Sequence, residues 1–398
     1  MTTTLTARAP TPGGPHRQRR GVHSGWTMVL GAVLVLAGGL GTTRMATHAT
    51  DHLGSHVAAP TPALPTPSPR ADGDPTRPAS ASAPRPDPVN PPRGEHSRSP
   101  QRLAPQPPVD GRDAPDPAVV HHGNLWALFS TQVGFLSIPV AVSDDLRRWS
   151  EPVEALPRLP GWAEWGHTWA PGVLRRDNGF VLYFAARSRA LGAQCIGAAT
   201  STQIEGPYTS PAPDPLMCQS NLGGSIDPQP FVDREGATYL LWKADANAIG
   251  ETSQLFAQRL RPDGLALTGK PVALLRSDAG WEQPLIENPA LLAIDGSYLL
   301  LYSGGWWESA GYATGYAVCR TPLGPCEKQT TQHPILAGTG DQAGTGGASI
   351  ITGPGGDYWL AYHAWRSDAI GYHNAGARSL HFASISWEAG QLVVAHQR

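Results

Sequence analysis

The chain lacks a basic field. Its formal charge is −2 over 398 residues, so nothing on it would concentrate a polyanion, and nucleic acid is not a partner to expect. Extended runs with the 3.6-residue period of a helix are scarce, which argues against a helical bundle. Cysteine is scarce as well, with four residues and no C-x-x-C pair among them, and that removes the usual zinc frameworks. One uncharged apolar run stands out, TMVLGAVLVLAGGLG at residues 27–41.

That run follows the basic cluster His16-Arg17-Gln18-Arg19-Arg20, the order of a signal peptide's basic and hydrophobic regions, so export is expected. Residues 1–24 are then a basic N-terminal region and 25–42 a signal peptide or membrane anchor. The run is short for a span, and no clean small-x-small site follows Gly41, so a cleaved leader and a retained tether at 27–41 both stand. The folded part is expected secreted, or anchored with that part outside. Residues 43–112 hold stretches such as APTPALPTPSPR, which cannot bury enough apolar surface to offset the entropy of ordering and read as a disordered Pro-rich linker. An oxidising compartment favours pairing of the four thiols. Cys195–Cys218 and Cys319–Cys326 are the local pairs, the second enclosing Gly324-Pro325.

From Asp113 the texture changes to short apolar strands between glycine, proline and aspartate. HHGNLWALFS, RDNGFVLYFA, DREGATYLLW, AIDGSYLLLY and PGGDYWLAYH each set a turn glycine before a strand, at Gly123, Gly179, Gly236, Gly296 and Gly356. The steps between them are 56, 57, 60 and 60 residues. Five all-β units of near-constant length predict a five-bladed β-propeller over residues 113–398, each unit a four-stranded blade. Ahead of each glycine lies a further slot, opened by Asp116-Pro117, Trp169-Ala170-Pro171, Asp227-Pro228, Glu287-Asn288-Pro289 and Gly347-Ala348-Ser349. Asp-Pro alone commonly starts a turn. In a propeller, equivalent positions of the innermost strands converge on one mouth of the axial channel, and that would bring three carboxylates together.

Like charges so placed repel, raising one pKa while another group stays ionised. One acid and one base on opposite sides of a mouth suit cleavage of a glycosidic bond with inversion. The motifs DPAVVHHGNLWALFST, HTWAPGVLRRDNGFVLYF, GGSIDPQPFVDREGATYLLW, LIENPALLAIDGSYLLLYS and YHAWRS followed by GARSLHFASISWEAG together resemble glycoside hydrolase family 43. That family comprises five-bladed propeller arabinofuranosidases, arabinanases and β-xylosidases.

The resemblance implies Asp116 as general base, Glu287 as general acid and Asp227 as the residue that tunes and orients the acid. Asp113 is a nearby acid without the Pro-apolar sequel. The family usually writes Glu-Gly-Pro or Glu-Ala-Pro where this chain has Glu287-Asn288-Pro289, a departure that would narrow the pocket. Trp169 would be a stacking wall for a sugar, Arg378 a contact to the innermost sugar, and His363 and His167 further binding residues. Trp306 and Trp307 could line the entrance. In several relatives the histidine matched by His363 lies near a calcium or a water, so calcium is the one metal to expect and no cofactor is required. The implied substrate is an arabinose- or xylose-containing plant cell-wall polysaccharide or oligosaccharide. α-L-Arabinofuranosidase action comes first, then β-xylosidase or endo-arabinanase, with a non-catalytic carbohydrate-binding propeller as the rival class. A monomer is expected.

Overall fold

The repeated glycines mark turns that only a left-handed backbone closes easily. Gly123, Gly179, Gly236, Gly296 and Gly356 all have positive φ, from 60° to 131°, where a side chain is strained and glycine is not. In the computed structural model, which describes residues 111–353 and 356–396, each of these turns joins the first two strands of an antiparallel sheet. The expected N-terminal region, leader or anchor, and linker lie outside the described residues, except for the linker's last two.

Among the described residues there are five sheets, each built from strands contiguous in sequence and paired in chain order. Blade 1 comprises Ala118–His122, Leu125–Phe129, Pro139–Ser143 and Val153–Glu154; blade 2 comprises Ala163–Arg176, Gly179–Ser188 and Gln194–Ser201. Blade 3 runs through Ser225–Val232, Thr238–Ala244, Gln254–Leu260 and Leu267–Arg276. Blade 4 has Ile286–Ile294, Ser297–Gly304, Ala313–Cys319 and Cys326–Lys328, and blade 5 has Gln342–Thr352, Tyr358–Arg366, Ser379–Glu388 and Gln391–His396. The first strands of neighbouring blades pack side by side, blade 5 against blade 1, which makes a closed five-bladed propeller.

Blade 2 departs from the expected four strands. In place of a fourth there are two isolated bridges: Thr200 and Thr209 exchange backbone hydrogen bonds of 2.8 and 2.9 Å, and Ile196 and Met217 exchange bonds of 2.8 and 3.2 Å. The segment beyond carries Pro207, Pro211, Pro213 and Pro215, which cannot donate to a ladder, so the strand does not extend. The Cys195–Cys218 disulfide fastens this segment to the blade, and Cys319–Cys326 ties the two outer strands of blade 4. Both are the local pairs expected.

The core lies between blades, in five clusters that each span one neighbouring pair. Phe129, Trp162, Phe184 and Tyr208 join blades 1 and 2, and Leu174, Tyr183, Leu240 and Trp242 join 2 and 3. Leu241, Leu275, Leu300 and Tyr302 join 3 and 4, while Leu301, Tyr316, Leu360 and Tyr362 join 4 and 5. The last, with Val119, Trp126, Ile351 and Phe382, joins 5 to 1. Full burial of one such side chain is worth about 1.5–3 kcal/mol, so each interface is a substantial part of the fold. Asp113 pairs with Ser379, and the Ala114 N–H donates to the Arg378 carbonyl at 3.0 Å, which closes the ring by main chain as well.

A β-bulge recurs on the innermost strands. Register slips between Trp169 and Gly172, Ile226 and Gln229, Glu287 and Ala290, and Gly346 and Ser349. Inside the slips sit left-handed residues: Ala170 (φ 42°), Asp227 (56°), Asn288 (52°) and Gly347 (63°), with Asp116 (51°) as the counterpart ahead of blade 1. A bulge re-aims side chains, and the axial mouth is where that is useful. This corrects the expected alignment of the three acids. Asp116 and Asp227 are equivalent, but their counterpart in blade 4 is Asn288, and Glu287 stands one residue earlier. Counting back from the turn glycine misaligned them because blade 4 closes with a two-residue turn, 295–296, and blade 3 with five residues, 233–237.

Loop-closure entropy ranks the two disulfides. With partners 23 and 7 positions apart in sequence, the Cys195→Ser/Cys218→Ser pair should cost about 3 kcal/mol and the Cys319→Ser/Cys326→Ser pair about 2 kcal/mol. Urea unfolding of the two double variants checks the order.

Candidate active site

The bulges gather their side chains at one end of the axis, around a cavity of about 660 Å³. Asp116, Asp227, Glu287, Trp169, Trp306, Trp307 and Arg378 all line it. His363 lies beneath, fully buried. His167 is not in the wall; its ring packs edge-on to Trp169 at 6.4 Å between centroids.

Asp116 is held from two neighbouring blades. The Thr131 hydroxyl donates to its Oδ2 at 2.7 Å and itself accepts the Ala170 N–H at 2.7 Å, so the direction of the hydroxyl proton is fixed. Arg378 Nη1 stands 3.5 Å from the same oxygen. The Asp116 N–H donates to His363 Nδ1 at 3.0 Å, which leaves the imidazole proton on Nε2. Burial, with Arg378 and His381 adding to it, pushes His363 well below the ordinary histidine value, so it is neutral. In the next slot Gly347 has no room for a side chain, since a Cβ would come within 2.5 Å of His363 Nδ1 and 3.0 Å of Asp116 Oδ1.

Arg378 is fixed by a second set of contacts. Its guanidinium lies 4.7 Å from the Trp307 ring centroid and 5.6 Å from that of Tyr372, an arrangement that stabilises a desolvated cation. Nε and Nη2 donate to the Tyr372 hydroxyl at 3.1 Å, and that hydroxyl donates to Asp113 Oδ2 at 3.0 Å. Asp113 Oδ1 takes the Arg378 N–H at 2.7 Å. Both oxygens of Asp113 are therefore engaged in closing blade 5 on blade 1.

Across the cavity, Glu287 receives two donors, Lys243 Nζ on Oε2 and the Tyr312 hydroxyl on Oε1, each at 2.9 Å. Lys243 is 1% exposed and also lies 3.4 Å from Asp245. Burial opposes its charge, but Glu287, Asp245 and Asp227 outweigh that and hold its pKa above the ordinary lysine value. Asp227 accepts the Asn288 N–H on Oδ2 at 2.8 Å. Burial first, and the neighbouring Glu287 charge second, raise its carboxyl well above the ordinary value, with Lys243 opposing.

Lys243, Asp245, Thr131, Tyr312 and Tyr372 were not singled out from the sequence. Lys243-Ala244-Asp245 follows the wholly buried Tyr239–Trp242, and charge there is costly unless paired, so a signal existed for that pair. Tyr312, Tyr372 and Thr131 carry none, because a hydroxyl in a loop or at a strand end is ordinary. At the rim Phe135 and Trp165, 89% and 56% exposed, lie in a near-parallel stack with centroids 6.5 Å apart. Their neighbours Gly134 and Gly166 line the cavity.

A closed propeller whose axial cavity sets one clamped aspartate opposite a buried Asp–Glu–Lys group, between tryptophans, has the constitution of a glycoside hydrolase centre. The chain belongs to glycosyl hydrolases family 43, whose sequence profile matches residues 105–392. Among curated proteins it is 29% identical to the beta-D-galactofuranosidase xynD of Aspergillus niger, over 56% of this chain and 64% of that one. It is 27% identical to the extracellular endo-alpha-(1->5)-L-arabinanase of Thermotoga petrophila, over 53% of this chain and 50% of the other. The match thus spans less than two thirds of either relative's length. Among solved structures, a thermostable family-43 glycoside hydrolase superposes with a TM-score of 0.65 at 28% identity, covering 72% of this chain and 95% of that one.

A raised carboxyl pKa has a measurable consequence for stability. Asp227 binds its proton more tightly folded than unfolded, where its value is near 3.8, so the stability this confers is present below that value and is lost as pH rises through the folded pKa. Asp227→Asn should remove that loss and become more stable relative to the parent as pH climbs from 4 to 8. Urea unfolding across the range tests this; a difference independent of pH would contradict it.

Proposed function

We propose that the chain hydrolyses glycosidic bonds of furanose- or pentose-containing polysaccharides and oligosaccharides, with a terminal α-L-arabinofuranose as first substrate and with inversion at the anomeric carbon. The observation that carries the reading is the asymmetry of the carboxylates around one cavity. Asp116 is held apart by Thr131 and Arg378, whereas the buried Asp227 carboxyl is pushed up by burial and by the adjacent Glu287, with Lys243 the cation beside the two. A pair in that setting retains a proton between its members.

In this reading Asp116 takes a proton from water as the water attacks the anomeric carbon. Glu287 gives its proton to the departing glycosidic oxygen, and the ring passes through an oxocarbenium-like state. Asp227, hydrogen-bonded to the main chain next to Glu287, raises the cost of a second negative charge and so keeps the proton on the pair. Lys243 and Tyr312 fix the Glu287 oxygens, and they stabilise the glutamate once the proton has left. Arg378 orients Asp116 and reaches the innermost sugar, with Trp169 offering a face to its C–H surface.

The names of the two curated relatives support a furanoside, since one is a galactofuranosidase and the other an arabinanase. β-D-Galactofuranose is accordingly the second sugar to test, alongside β-D-xylopyranose. The exposed Phe135 and Trp165 continue the aromatic surface outward, which suits a substrate longer than one sugar. The extracellular relative agrees with the export read from residues 16–41. His363 Nδ1 accepts the Asp116 N–H, and its Nε2 is buried without a partner among the described residues, so a calcium near it would draw most of its six to eight oxygens from water and main chain. The roles above are those of the side chains.

Release of sugar from aryl α-L-arabinofuranoside, β-D-xylopyranoside and β-D-galactofuranoside tests the activity; binding without turnover on any of them would favour a non-catalytic sugar-binding propeller instead. Glu287→Gln and Asp116→Asn should each lower kcat by about 10²- to 10⁴-fold. The anomer first released, followed by NMR, should be inverted.

A further inference from the structure

Two amide oxygens in the cavity wall have no partner. Asn288 is 4% exposed, and its Oδ1 is buried without a hydrogen bond among the described residues; Asn247 Oδ1 is in the same condition. Both residues line the cavity that holds the three acids. Buried polar atoms are nearly always paired, so an unpaired one beside a binding cavity calls for a ligand.

The backbone explains where Asn288 points but not why it is asparagine. Its φ of 52° is a conformation that glycine adopts freely and asparagine tolerates. The main-chain N–H, donating to Asp227 Oδ2 at 2.8 Å, would be supplied equally by glycine. Pro289 follows it as Pro117 and Pro228 follow the two left-handed aspartates, so the side chain occupies in blade 4 the axial position that Asp116 and Asp227 occupy in theirs. An amide at that position adds hydrogen-bonding capacity without the third axial charge that an aspartate would bring. An amide oxygen accepts and an amide nitrogen donates, and a sugar hydroxyl can answer either.

We infer that Asn288 is a specificity-determining residue, whose side-chain amide hydrogen-bonds a ring hydroxyl of the sugar in the innermost subsite, with the Asn247 amide serving the same sugar from blade 3. This rests on the proposed glycosidase function and names what selects its substrate. A sugar that presents the hydroxyl satisfies the buried amide. One that does not leaves it unpaired, and discrimination follows from that difference.

The test is Asn288→Gly, which suits the backbone and keeps the bond to Asp227. Its kcat/KM on the best of the three aryl glycosides should fall about tenfold, the worth of one neutral hydrogen bond, while the poorer substrates fall less, so that the ratio between them narrows. A melting temperature within a few degrees of the parent's shows that folding is not the cause. A parallel fall on all three substrates, or no fall on any, overturns the inference. Should the parent cleave none of them, the glycosidase reading fails first, and Asn288 is judged by calorimetric titration of L-arabinose, D-xylose and D-galactose into parent and variant. Weaker binding of one sugar by the variant then supports the contact, and equal binding, or none to either protein, refutes it.

Discussion

The site depends on hydrogen bonds that cross from blade to blade at the axis. Four left-handed residues give their N–H to a side chain of the preceding blade: Asp116 to His363, Ala170 to Thr131, Asn288 to Asp227 and Gly347 to Ser303. A bulged residue has lost its ladder partner, and a buried N–H without one is costly. Four of the five blades take a polar side chain from the neighbour in this way, and three of the acceptors, His363, Thr131 and Asp227, also build the site. Asp227 and Thr131 serve both ends at once, fixing a main chain with one contact and a carboxyl group with another or with its own charge.

Within this ring the second strands carry a matching position, occupied by Ala185, Lys243, Ser303 and His363 opposite Trp169, Ile226, Glu287 and Gly346. Fold alone would accept any small or polar residue there. Lysine is different, because a buried cation needs anions around it, and it has Glu287 at 2.9 Å and Asp245 at 3.4 Å. Burial first, and the adjacent Glu287 second, push the Asp227 carboxyl up against the opposing ammonium. Asp116 lies apart from that pair, because Arg378, held between Trp307, Tyr372 and Asp113, stands beside it. Two electrostatic environments thus coexist in a cavity of a few hundred cubic ångströms, and the acid and base roles proposed for Glu287 and Asp116 rest on that separation.

The sequence by itself determined the fold class. A turn glycine recurs every 56 to 60 residues because each blade must reverse its first hairpin through a left-handed residue, and such local requirements are written locally. It also determined the pairs of cysteines, which lie near each other along the chain, and the acids Asp116, Asp227 and Glu287, whose charge is conspicuous beside apolar strands. Only the tertiary structure decided how these residues relate. It set Glu287 one residue off the position of the two aspartates, because turn length differs between blades 3 and 4 and register is fixed by pairing across the sheet. It gave Asp113 to ring closure, placed His167 outside the cavity wall, and replaced the fourth strand of blade 2 with isolated bridges, Thr200 to Thr209 and Ile196 to Met217. It also recruited Lys243, Tyr312, Thr131 and Tyr372, whose partners lie 15 to 259 positions away in sequence. Such contacts form only when the propeller closes, so no local pattern could announce them.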